Sequence, residues 1–190
     1  MRTTSHFVGI AVDSAQFADL FVELQKYFIG HDISHAIELQ NILSLHVTLY
    51  YLPAILHQTG KTEILKDLFE LSSSKEFTIS SLQGKYFGEP GKGRVGYIGC
   101  ESNETFNTIN LFFAEKYKHT GISENALAFV PHISLFRILD SEAFAPHKAE
   151  VDVIIDASIP SINVDTVLGG LRLFQVNSDF RPEIQIPVLN

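Results

Sequence analysis

The chain has 190 residues, of which 45% are apolar and 19% charged, and a formal net charge of −8. This is a globular composition, long enough to bury a real core in one domain or two small lobes. The acidic balance excludes a broad, non-specific grip on nucleic-acid backbones. The single cysteine, Cys100, excludes an internal disulfide framework and a zinc site built on several thiolates.

Phe7 to Val12 is a compact β-branched run and is predicted to be a strand. It is too short for the apolar region of a signal peptide, and no stretch approaches the ~18 apolar residues of a membrane span. A cytoplasmic location and no membrane partner are therefore expected. Asp13-Ser14 offers an N-cap, after which Phe17, Leu20, Phe21, Leu24, Tyr27 and Phe28 recur at helical spacing up to Gly30. Residues 30–44 read as loop. Leu45 to Leu52 is a second strand, ended by Pro53. Residues 62–71 form a second amphipathic helix, ended by the run Ser72-Ser73-Ser74.

Phe77 to Phe87 and Arg94 to Cys100 read as two strands of a hairpin around the turn signal at residues 88–93. Ser102 or Asn103 can cap a third helix that buries Phe106, Ile109, Phe113 and Tyr117 and stops near Gly121. Phe129 to Ile138 is strand-like. Pro146 forbids one helix over residues 141–157, but a shorter one from Pro146 to Ile155 fits. Val164 to Val176 is a strand with a bulge expected at Gly169-Gly170, and Ile184 to Val188 ends the series.

Each half of the chain thus holds a strand, a helix and a second strand carrying His-x-(Ser/Thr)-Leu. These are His46-Val47-Thr48-Leu49 and His132-Ile133-Ser134-Leu135, 86 residues apart from position 46 to position 132. The bare triplet is weak evidence. Eight His and 26 Ser plus Thr give about one by chance, and His57-Gln58-Thr59 also fits. Only the two strand segments add a β-branched second residue, a leucine at the fourth position and an aromatic at the fifth. Period-two alternation places His46, Thr48 and Tyr50 on one face, and His132, Ser134 and Phe136 on one face. Two such strands facing each other offer two imidazoles and two hydroxyls. One neutral imidazole can deprotonate a nucleophile and a protonated one can serve the leaving oxygen, while the hydroxyls donate to non-bridging phosphate oxygens. That set suits phosphoryl transfer without a metal or other cofactor, with a bell-shaped rate profile at neutral pH.

These two motifs, with Pro131 before the second and the strand Arg94-Val95-Gly96-Tyr97-Ile98-Gly99 between them, resemble the 2H phosphoesterase superfamily. The first strand, the helix after it and the closing Leu171-Arg172-Leu173-Phe174 strand fit as well. The resemblance covers nearly the whole chain. It implies an α+β fold over residues 1–190 as a single bilobal domain with pseudo-twofold symmetry, two antiparallel sheets lining a central cleft and helices outside. It implies hydrolysis of nucleotide or RNA-end 2′,3′-cyclic phosphates, or of a 2′-5′ phosphodiester. His46 and His132 become acid and base, and Thr48 and Ser134 the phosphate binders. The typical 2′-phosphate product points to His46 as the acid for the leaving 3′ oxygen and His132 as the base. A binding module of the same fold and a phosphodiesterase for an ADP-ribose cyclic phosphate are the alternatives. The acidic charge, with no basic run, favours a small nucleotide or an RNA end over a long duplex, and a monomer is expected.

Other residues have plainer readings. Tyr50 and Phe136 can stack a base or pack the cleft floor. Arg94, Arg137, Lys85 and Lys92 can hold a phosphate, with nothing to select one. His31 and His35, at i and i+4 in an expected loop, lack the helical context of a metal pair. His6, His119 and His147 are expected to be exposed.

Overall fold

The computed structural model describes residues 5–52, 58–72, 79, 82–88, 94–117, 129–162, 169–176 and 182–186. Strand β1 (Ser5–Ala11) leads through a short turn into helix α1 (Ala18–Gly30). Asp13 caps that turn, its carboxylate accepting from the Ala15 amide at 3.1 Å. Leu20, Phe21, Leu24 and Phe28 form the buried stripe of α1. Strands β2 (Ile37–Leu39) and β3 (His46–Leu52) follow, then α2 (Gln58–Ser72), the hairpin β4 (Gln83–Phe87) and β5 (Val95–Gly99), and α3 (Glu104–Lys116). Asn103 caps α3, accepting from the Phe106 amide at 2.8 Å. The chain closes with β6 (His132–Ile138), α4 (Ser141–Phe144), α5 (Lys148–Ser158), β7 (Gly169–Val176) and β8 (Pro182–Ile186).

Three expectations change. The expected loop over 30–44 contains β2, whose three residues are too few to show a period; they form a strand because β6 pairs with them. Two helices, not one, occupy 141–158. Asp140 caps α4, while Pro146 lies in the turn Ala145–His147 and parts α4 from α5, since it brings no amide proton. The last strand runs two residues earlier than expected. The expected starts at Phe77 and Val164, the turn at 89–93, Gly121, His57 and His119 lie outside the described residues.

The strands run in the order β4-β5-β6-β3-β1-β7-β8, with β2 also beside β6. All pairings are antiparallel. The two halves expected as separate sheets, β4-β5-β6 and β3-β1-β7-β8, meet through one recorded residue pair, Val47 with Ile133. Helices lie against one face, as the contacts of α3 with β3, α2 with β7 and α5 with β4 show. That face is the core: Val8, Ile10, Val47, Leu49, Ile133 and Leu135 are all buried.

The register exposes the duplication. Phe7, Val8, Gly9, Ile10 and Ala11 pair with Tyr51, Tyr50, Thr48, Val47 and His46. Val95, Gly96, Tyr97, Ile98 and Gly99 pair with Arg137, Phe136, Ser134, Ile133 and His132 in the same pattern. In each half one residue is skipped, Leu49 in β3 and Leu135 in β6, so both motifs carry a β-bulge at their leucine. The outer strands match too: Arg172 lies opposite Gly9 and Lys85 opposite Tyr97. The bulge expected near Gly169-Gly170 is present, where the β1–β7 register shifts and Gly170 takes φ +53°.

Candidate active site

The face of the sheet away from the helices carries a cleft of about 580 Å³. One half supplies Phe7, Ser44, His46, Thr48 and Tyr51, the other Phe87, Val95, His132, Ser134 and Arg137. His46, Thr48, His132 and Ser134, selected in the sequence, are all brought together here. Antiparallel pairing of Val47 with Ile133 sets His46 across from Ser134, and Thr48 across from His132. Each imidazole therefore faces the other motif's hydroxyl.

Both imidazoles are held in the same way. His46 Nδ1 lies 2.7 Å from the Ser44 carbonyl oxygen, and His132 Nδ1 lies 2.8 Å from that of Val130. Each acceptor sits two residues before its histidine. A carbonyl can only accept, so Nδ1 donates and Nε2 is left as the nitrogen free for proton transfer. Aromatic rings fix the planes: His46 lies 4.7 Å from Phe7 and 5.0 Å from Phe174, His132 4.7 Å from Phe87 and 5.2 Å from Tyr97, centre to centre. These apolar walls set the electrostatics. Burial pushes the His46 pKa down to about 4; the Ser44 carbonyl opposes this, and the charge of His132 adds to it. Burial also lowers His132, against the Val130 carbonyl.

Tyr50 and Phe136 do not line the cleft, contrary to one of their two readings. The bulges at Leu49 and Leu135 end strict alternation and turn the fifth motif residue to the helix side. Tyr50 packs against Phe113 on α3. Phe136 is fully buried among Phe28, Tyr86 and Phe144, in space that Gly96 leaves by having no side chain. The residues one step later, Tyr51 and Arg137, take the places on the cleft. Sequence reasoning passed over Tyr51 because the bulge has no local signature, and could not select Arg137 from its peers. The Ser44 and Val130 carbonyls are equally silent, since every residue carries one.

Among the remaining candidates, Lys85 and Arg94 are exposed and do not line the cleft; Lys92 lies outside the described residues. His6 is buried at 3% exposure, not exposed as expected, and neither ring nitrogen has a hydrogen-bond partner among the described residues. His147 is half-buried and bonds the Tyr27 hydroxyl at 3.0 Å. His31 stacks on Tyr27, while His35 lies on a separate exposed turn. Among the described residues no group of three or more His, Cys, Asp or Glu side chains could hold a metal ion, and no helix is long and apolar enough to cross a membrane.

Residues 4–161 match the model of the family described as the AKAP7 2′5′ RNA ligase-like domain. No curated protein sequence matches. The fold is similar to TT0787 of Thermus thermophilus (TM-score 0.58, 20% identity, covering 96% of this chain and 92% of that one). It is also similar to E. coli LigT complexed with 3′-AMP (TM-score 0.53, 15% identity, 98% and 96%) and to a protein solved as a phosphoesterase (TM-score 0.53, 14% identity, 97% and 97%). With 158 consecutive residues matched and a fold shared end to end with these structures, the chain belongs to the AKAP7 2′5′ RNA ligase-like domain family, within the 2H phosphoesterase superfamily.

Proposed function

We propose that this protein is a phosphoesterase that hydrolyses nucleotide or RNA-end 2′,3′-cyclic phosphates, or a 2′-5′ phosphodiester, by two-histidine acid–base catalysis. The observation that carries this is the pair of imidazoles in one cleft, each with Nδ1 tied to the carbonyl two residues before it and each set across from the other motif's hydroxyl. The fold shared with LigT, which has been solved with 3′-AMP and with ATP, supports a nucleotide ligand. Residues 1–190 act as one catalytic unit, because the site draws equally on both halves.

Burial lowers the pKa of both imidazoles, and the active form of the pair holds one proton. The neutral imidazole takes a proton from water at Nε2 as the water oxygen bonds to phosphorus. The protonated one gives its proton to the ribose oxygen as the P–O bond breaks, leaving a monoester and a free hydroxyl. Thr48 and Ser134 donate to the non-bridging oxygens, where the transition-state charge resides.

The test is a panel of the four 2′,3′-cyclic mononucleotides, an ADP-ribose cyclic phosphate and a 2′-5′ linked diadenylate, with and without EDTA. Chelator-insensitive turnover of a cyclic nucleotide or the diadenylate is expected. Turnover of the ADP-ribose compound alone would move the substrate outside RNA, and tight binding without turnover would make the protein a binding module.

A further inference from the structure

The two imidazoles of the cleft are held by like carbonyls, but those carbonyls are themselves held in different ways. Val130, the acceptor for His132, precedes Pro131, whose ring fixes its own φ. The Pro131 carbonyl accepts from the Cys100 amide at 3.1 Å, just past the end of β5. The sheet therefore fixes that acceptor. Ser44, the acceptor for His46, lies outside the strands, at the end of the 3₁₀ turn Ile42–Ser44.

Asn41 receives three of the hydrogen bonds that close this turn. Its Oδ1 accepts from the Leu43 amide at 3.0 Å. Its carbonyl accepts from the Ser44 amide and from the Ser44 hydroxyl, each at 2.9 Å. Apolar packing holds little of the turn, since Leu43 is 76% exposed and only Ile42 reaches the core. The chain enters the turn from the other half of the site, where the Gln40 amide donates to the Leu135 carbonyl at 2.8 Å. Residues 40–44 thus run from the bulge of the second motif to the histidine of the first, and Gln40 and Ser44 both line the cleft.

Resting on the proposed activity, we infer that Asn41 is a positioning residue for catalysis: by capping the turn it fixes the Ser44 carbonyl, and that carbonyl holds His46 with its proton on Nδ1 and its Nε2 open for proton transfer. An imidazole released from that carbonyl takes its proton on either nitrogen, and only one of the two tautomers presents Nε2 as an acceptor to the cleft. Loss of the cap therefore lowers the fraction of His46 that is ready to react. His132 owes nothing to this turn, so it serves as a reference within the same molecule.

Nitrogen-15 NMR of the histidine rings at pH 7.5 reads the tautomer of each imidazole without any substrate. In the wild type both His46 and His132 are expected to carry the proton on Nδ1. In Asn41→Ala the His46 ring should become a mixture of tautomers while His132 keeps its own. Steady-state kinetics on adenosine 2′,3′-cyclic phosphate should show kcat reduced about three- to tenfold with KM nearly unchanged. Asn41→Asp should restore both readouts, since Asp13 caps its own turn by the same contact, accepting from the amide two residues on at 3.1 Å. Asn41→Gln, with its amide one carbon too far out, should match the alanine variant and replaces it if that variant does not fold. A wild-type His46 protonated on Nε2 overturns the inference. So does a folded uncapped variant with a wild-type ring spectrum or a wild-type kcat, or one in which His132 changes equally. A wild type that turns over no substrate would count against the proposed activity, while the ring spectra would still decide whether Asn41 positions His46.

Discussion

His46 and His132 are chemically the same group in duplicated places, and burial separates them. His46 is neutral in the free protein down to about pH 4, and His132 also loses its proton below the ordinary 6.5. In the proposed mechanism the active form of the pair holds one proton. Its fraction rises with pH through about 4 and falls again above the lowered pKa of His132. The kcat/KM profile is therefore expected to be a bell whose alkaline limb lies below 6.5, more acidic than the neutral optimum that unperturbed histidines imply. The kcat profile should lie at higher pH, because a bound phosphate anion favours both protonated imidazoles. A pH–rate series on any substrate that turns over checks this. Replacing either histidine by glutamine should cost about 10²–10⁴-fold in kcat.

The same burial has a stability consequence of fixed sign. The folded pKa of His46 lies below its unfolded value, so the unfolded chain binds more protons between them. Stability from this group is present above about 6.5 and is lost as pH falls toward 4. Urea unfolding at pH 7 and pH 4.5 should show a smaller loss on acidification in His46→Gln than in the wild type.

At the scale of elements, the bulges decide what the motifs present. A leucine bulged out of each pairing sends the fifth motif residue to the core and the sixth to the cleft. The freed carbonyls are taken up. Asn110 on α3 donates its Nδ2 to the Leu49 oxygen at 2.6 Å, and the Gln40 amide donates to the Leu135 oxygen at 2.8 Å. Asn110→Ala should leave the Leu49 carbonyl unsatisfied and cost about 1–3 kcal/mol. It should also lower kcat more than KM rises, because the carbonyl belongs to the strand that sets Thr48 and His46. Chemical denaturation and steady-state kinetics on the one variant read both effects. Gly96→Ala would drive a methyl into the Phe136 ring and should cost about 1–3 kcal/mol as the core repacks, which chemical denaturation reads directly.

These elements also show where sequence reading works. The strands holding His46 and His132, the caps at Asp13 and Asn103, and the bulge by Gly170 were legible, because each has a local pattern. Strand β2 was not, since its three residues are a strand only by virtue of β6. Tyr50 and Phe136 were offered to the cleft because alternation is the default, and a bulge without glycine leaves no mark that suspends it. His6 was expected at the surface as the plain reading of a histidine outside the two motifs, yet β1 runs between β3 and β7 and carries it inward.

At the scale of the molecule, two similar half-sheets meet at one residue pair, and the site exists only where they meet. Neither half holds both an acid and a base. On the proposed function the acidic charge and the phosphate chemistry are compatible, because the phosphate is held locally by the two motif hydroxyls and makes no demand on a basic face. The central claim is that the two histidines together hydrolyse a cyclic phosphate ester. It is tested most directly by phosphorus NMR of adenosine 2′,3′-cyclic phosphate incubated with the purified protein in excess EDTA. The account predicts that the cyclic resonance converts to a single monoester in the wild type and persists in both His46→Gln and His132→Gln. A cyclic resonance unchanged in the wild type, or converted at wild-type rate by either folded variant, would contradict it.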